Sequence, residues 1–122
     1  VIGTVNVTSL EEVLNRLKGL SGVKDAVLVS RSGMHVAGKV PDGAHQETFV
    51  AMSAILLGAA ETASSELRDE CREIILQLQG SKMLIHSTGP KALLVMRGDT
   101  GLDYSQHIDV IRSATKELAQ LL

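Results

Sequence analysis

The sequence predicts an α+β fold, with helices packed on the faces of a five-stranded antiparallel sheet. Three observations carry that expectation. Segments with helical apolar spacing alternate with short strand-like runs, in the order α-β-β-α-β-β-β-α. The strand-like runs are joined by turns too short for parallel crossovers, so sequence neighbours must run antiparallel. The chain has 122 residues, 44% hydrophobic and 21% charged, and no linker, low-complexity tract or internal repeat divides it. The expected organisation is one domain over residues 1–122.

The first segment, TSLEEVLNRLKGLSG, opens with Ser9 and Glu12 at capping-box spacing. Leu10, Val13, Leu14 and Leu17 then fall on one helical face, and Gly19 and Gly22 bracket the end. The period changes after that. Ala26 to Val29 is a continuous apolar run that suits a strand buried on both sides. SRSG follows as a turn, with Gly33 available for positive φ. MHVAGKV returns as the second strand of a hairpin, and Pro41, Asp42 and Gly43 end it.

One long helix is expected from about His45 to Asp69. Its stretch from Phe49 to Ala60 carries no charge, and that uncharged run falls short of the ~20 residues a membrane span needs. Phe49, Met52, Leu56, Ala60, Ala63 and Leu67 form one stripe, expected to face the sheet. Ala51, Ala54, Ile55, Gly58, Thr62 and Ser65 form a second stripe of mostly smaller residues. Small side chains let another element approach closely, and burying the second stripe requires a further surface. That surface is either a second copy of the chain or another part of the same one.

Three strand-like runs form the expected meander. In REIILQLQ, Ile74, Leu76 and Leu78 should face the core while Gln77 and Gln79 do not. Gly80 and Ser81 turn the chain into KMLIHS, and TGP at Thr88 to Pro90 turns it into KALLVMR. Asp103 is placed to cap a last helix, with Tyr104, Ile108, Ile111, Thr115, Leu118 and Leu122 along one side.

Composition excludes several functions. Aromatics are confined to Phe49 and Tyr104, the formal net charge is −2, and no basic run stands out, so a nucleic-acid partner is not expected. A lone cysteine, Cys71, cannot form an internal disulfide and reads as inert core material. The opening VIGTVNVTS lacks the positive region of a signal peptide, so the expectation is a cytoplasmic protein without a membrane partner. No phosphate-binding GxxxxGK[ST] loop and no GxSxG elbow is present. Ser32 and His35 lie close in sequence but on a hairpin turn. His35, His45, His86 and His107 are scattered without metal-ligand spacing and read as surface or edge residues. Glu11 with Glu12, and Glu70 with Glu73, read as solvated charges. Among the arginines, Arg31 in the SRSG turn is the one placed as an arginine finger would be. The expectation is therefore no catalytic, metal-binding or cofactor-binding residue.

Three stretches together resemble the Roadblock family, the dynein-light-chain type of domain, in its prokaryotic form as a regulator of Ras-like GTPases. They are GVKDAVLVSRSGMHVAGKV, the small-residue helix AMSAILLGAAETASSEL, and the meander REIILQLQGSKMLIHSTGPKALLVMR. The likeness covers nearly the whole chain in element order, and profilin-like domains share parts of the architecture. The resemblance implies a homodimer in which the long helix meets its twin and the strand after it pairs with its own copy. The interface residues are then Ala51, Ala54, Ile55, Gly58, Thr62, Ser65, Ile75 and Gln77. It also implies a non-catalytic module that repositions the residues of a small Ras-like GTPase. Two other readings stand beside it: a scaffold subunit of a larger assembly with no GTPase partner, and a small-molecule or enzymatic domain on a profilin-like sheet.

Overall fold

The structure is a computed structural model and describes residues 6–122. The expected lack of a leader pattern concerns in part residues 1–5, which lie outside the described residues. The elements are α1 (Val7–Lys18), β1 (Val23–Ser30), β2 (His35–Ala37), α2 (Gln46–Glu66), β3 (Glu73–Gln77), β4 (Lys82–Ser87), β5 (Ala92–Gly98) and α3 (Ile108–Leu121), with a 3-10 turn at Tyr104–His107 leading into α3. All pairings are antiparallel, and the five strands lie in the order β2-β1-β5-β4-β3. This is the α+β architecture the sequence predicts.

The continuous apolar runs of β1 and β5 follow from covering both faces of the sheet. Ala26, Leu28, Leu94 and Met96 point into one core, where α1 contributes Leu10, Val13, Leu14 and Leu17 and α3 contributes Ile111, Ala114 and Leu118. Val27, Val29, Leu93 and Val95 point into the other, which α2 alone covers with Val50 and Leu57. Tyr104 seals the bottom of the two-helix side. Its hydroxyl donates to the Lys82 carbonyl at 2.7 Å, and burial pushes its pKa up to about 12 against a smaller opposing effect of Arg97. The Asp103 carboxylate accepts from the hydroxyl and backbone N–H of Ser105, which hold its pKa below the ordinary range and cap the 3-10 turn.

Five local expectations are corrected. The N-cap of α1 is Asn6, whose Oδ1 accepts from Ser9 N at 3.2 Å, so Ser9 lies inside the first turn. Glu11, expected as a solvated charge, accepts from the Gly38 N–H at 2.9 Å. The second strand stops at Ala37 because Gly38, at φ +85°, turns its backbone against the Ala26 carbonyl and the Leu14 side chain, leaving no room for a Cβ. Leu78 does not face the core. β3 ends at Gln77, and Leu78 donates its N–H to the Ser81 carbonyl at 2.9 Å in the tight turn, with its side chain exposed.

The fifth correction concerns α2. Val50, Ser53 and Leu57 face the sheet, whereas Met52, Leu56 and Leu67 of the expected stripe are exposed. On a helical wheel the sheet-facing line lies about a quarter turn from the first expected stripe and about a third of a turn from the second. Ser53 explains the error. Its hydroxyl donates to the Phe49 carbonyl at 2.8 Å, one turn back, and so satisfies itself within the helix. A polar residue thereby occupies the buried line and an apolar one is displaced to the surface. At 21 residues and a mean hydropathy of 1.2, α2 is by length and composition long and apolar enough to cross a membrane; here it lies on the sheet.

Candidate interaction site

Two features of the fold lack cover. The first is the outward ridge of the helix, where Met52 is 49% exposed, Ile55 58% and Leu56 40%. The second is the free edge of β3, which pairs with β4 on one side and with nothing on the other among the described residues. An edge strand offers a row of unpaired N–H and C=O groups, and Ile75 on that edge is 51% exposed. Ile74 and Leu76 pack beneath α2, while Ile75 lies opposite Leu84 on the face that carries α1 and α3.

The expected interface residues separate into three groups. Ile55, Thr62, Ser65, Ile75 and Gln77 are exposed. Ala51 and Ala54 are half-buried within the protomer: the Ala51 Cα would lie 3.2 Å from a Cβ on Gly33 of the β1–β2 turn, and Ala54 packs against the core beneath α2. Gly58 is half-buried, yet a Cβ built there meets nothing within 4 Å. Nothing inside the protomer requires a glycine at this point, although one costs a helix interior about 1 kcal/mol relative to alanine. The sequence pattern alone places the ridge residues Met52 and Leu56 on the buried side. No periodic signal separates them, because α2 is apolar nearly all round.

Arg31 is not a free finger. Its Nε donates to the Gly89 carbonyl at 3.1 Å and one terminal nitrogen meets Glu61 Oε1 at 2.5 Å. The other terminal nitrogen donates to Ser87 Oγ at 2.7 Å and to the Gly89 carbonyl at 3.0 Å. The guanidinium thus ties α2 to the β4–β5 turn and holds the β1–β2 turn against both. Every part of its planar fork is engaged, which a mobile finger cannot be.

The histidines divide as well. His35, His45 and His107 lie at or near the surface. His86 does not: its side chain is 7% exposed, its Nδ1 donates to the Ser87 carbonyl at 2.8 Å, and its Nε2 is 3.2 Å from Glu73 Oε2. The signal for this was present, since alternation along KMLIHS puts His86 on the same face as the buried Leu84. Cys71 is half-buried, with its thiol 3.5 Å from the Glu73 carbonyl. Among the described residues no group of three His, Cys, Asp or Glu side chains is arranged to hold a metal ion.

A family model described as the Roadblock/LC7 domain matches residues 9–97, from the first turn of α1 to the end of β5. The chain belongs to the Roadblock/LC7 family. An uncharacterized protein of Methanocaldococcus jannaschii, MJ0714, is 27% identical over 111 residues, 90% of each chain. The gliding protein MglB of Thermus thermophilus superposes with a TM-score of 0.82 at 22% identity, over 94% of this chain and 89% of that one. Profilin IB of Acanthamoeba castellanii superposes with a TM-score of 0.66 at 18% identity, over 92% of this chain and 98% of that one. Both solved structures are likenesses of fold. The Roadblock/LC7 match stops short of α3, so the helix that completes the two-helix core lies outside the matched span.

Proposed function

We propose that this Roadblock/LC7 chain forms a homodimer through the β3 edge and α2, and that the dimer regulates a small Ras-like GTPase without supplying a catalytic group of its own. The observation that carries the proposal is the uncovered apolar ridge Met52–Ile55–Leu56 together with the unpaired edge of β3. Pairing β3 with its twin satisfies the open backbone groups and extends the sheet. It also brings a second α2 to the same face, where Ile55, Gly58, Thr62 and Ser65 are candidates for the contact. Gly58, which no internal contact explains, allows close approach there. Family membership supports the GTPase partner, and the full engagement of Arg31 supports action through the partner's own residues.

Light scattering at low micromolar concentration should return the dimer mass, and Ile55→Arg should return a folded monomer, because it would place an unpaired charge in the contact. Hydrolysis and nucleotide-exchange assays with Ras-like GTPases of the same organism should then show binding that depends on the bound nucleotide. A wild-type monomer sinks the dimer. A dimer that binds no such GTPase in either nucleotide state sinks the regulatory reading in favour of a scaffold.

A further inference from the structure

We infer that the pocket between β4 and α3 is a binding site for a phosphate-class dianion, free phosphate or a small phosphomonoester. It lies across the sheet from the ridge of α2 and does not depend on the GTPase reading. Arg72 just before β3, His86 of β4, and Arg112, Thr115 and Lys116 of α3 line a cavity of about 350 Å³. Arg112 and Lys116 are one turn apart and so share a helical face.

Two independent observations mark it as a site. None of Arg72, Arg112 and Lys116 has an ion-pair partner among the described residues, although the chain as a whole is slightly acidic. The second is His86. It is more than nine-tenths buried, its Nδ1 is committed to the Ser87 carbonyl, and its Nε2 has no aligned hydrogen bond despite lying 3.2 Å from Glu73 Oε2. With Nδ1 donating, Nε2 is a lone-pair acceptor that faces the equally unpartnered Glu73 Oε2, and the P–O–H of hydrogen phosphate can donate between them.

Charge decides the class of ligand. Glu73 is the carboxylate facing His86, and it offsets one of the three cations. A surplus of two positive charges remains, which matches a dianion and exceeds what one carboxylate neutralises. Two guanidinium groups can grip tetrahedral oxygens with paired N–H donors, and the lysine adds a point charge. The cavity is at the small end of ligand pockets, with room for a phosphoryl group and a short substituent.

The test is a titration of isotope-labelled full chain with inorganic phosphate at constant ionic strength, read by amide and imidazole NMR shifts. Saturable shifts are expected at Arg72, His86, Arg112, Thr115 and Lys116, with half-saturation at about 1 mM or below. Replacing Arg112→Gln and Lys116→Gln together should weaken binding by about tenfold or more. Both side chains are exposed, so the fold survives their loss. Lys91→Gln, outside the pocket, should leave binding unchanged. Glycerol 3-phosphate in place of phosphate distinguishes the sources: tighter binding assigns the site to a small ester, equal binding to free phosphate. No saturation by about 10 mM, shifts spread evenly over remote lysines, or an Arg112/Lys116 variant that titrates like wild type would each overturn the assignment.

Discussion

Arg31 offers the sharpest test of how this protein works, because a clamp and a catalytic finger predict opposite results for one substitution. Arg31→Ala removes four hydrogen-bonding contacts, one of them the ion pair with Glu61. Adding them at full strength would overestimate the loss. The two side chains are 27% and 35% exposed, so solvent screens the ion pair to about 1 kcal/mol or less. Ser87 Oγ also keeps a bond from the Gly89 N–H at 3.2 Å. The lasting damage is the Gly89 carbonyl, left without its guanidinium donor, and the release of the β1–β2 turn from α2. Charge-assisted bonds contribute about 1.5–3 kcal/mol apiece, and after these offsets the net loss comes to about 2–3 kcal/mol. At about 4 °C per kcal/mol for a chain of this length, Tm should fall by about 8–12 °C.

Urea and thermal unfolding followed by circular dichroism measure this directly, with an unchanged m-value expected. Glu61→Gln keeps a neutral acceptor and should lose under about 1 kcal/mol. Well below the melting temperature, Arg31→Ala should keep its effect on a partner GTPase to within a few-fold, whereas losing a finger costs about 10³ or more. A stability change below about 0.5 kcal/mol would show that the guanidinium is free in solution. Combined with hydrolysis at the intrinsic rate and retained binding, that result would refute the clamp and install the finger.

The rotation of α2 is checked by a pair of truncations: Leu57→Ala should cost about 2–5 kcal/mol, while Met52→Ala should leave the protomer's stability nearly unchanged. The reverse order would restore the stripe expected from sequence. Tyr104→Phe loses the bond to Lys82 and should cost about 1 kcal/mol. It should also alter the alkaline limb of stability. The folded phenol has its pKa raised to about 12, above the ordinary value near 10, so the folded state holds the proton that the unfolded state releases first. Its contribution is complete below about pH 10 and is lost as pH rises toward 12, and the difference between wild type and Tyr104→Phe in denaturant melts should shrink over that window. A difference that is flat or grows would mean the hydroxyl is solvated.

Most of the fold was legible because its elements obey one period each. Leu10, Val13, Leu14 and Leu17 have polar residues between them, so α1 has one possible buried face, and all four are buried. Lys82–Ser87 lies between two turn signals, so β4 was bounded from both ends. The errors fall where two signals compete. Ser9 makes a good cap, but Asn6 makes one three residues earlier and lengthens the helix. Leu78 continues the alternation of β3, but the Gly80–Ser81 turn claims its backbone. The rotation of α2 was not legible, because a helix apolar on several sides carries little directional information and the residue that fixes its orientation is a serine. The His86 pocket was half legible: alternation buried the histidine, but only the tertiary approach of α3 brings Arg112 and Lys116 to Arg72.

That pattern bears on why the candidate surfaces sit where they do. The sheet has two apolar faces and three main helices. Two of the helices share one face, and their amphipathic sequences leave Val7 and Val110 as the large apolar side chains exposed on them. The other face has α2 alone, and one helix about 10 Å wide cannot cover a five-stranded sheet some 20 Å across. A sequence selected only for a stable monomer would make the outer side of that helix polar. Instead Met52, Ile55 and Leu56 are apolar there, and the β3 edge carries Ile75 where a lysine would block pairing. Exposed apolar side chains also occur elsewhere, at Met34, Leu67 and Val110, and exchanging Ile55 for arginine tests whether the ridge in particular serves contact with a second copy.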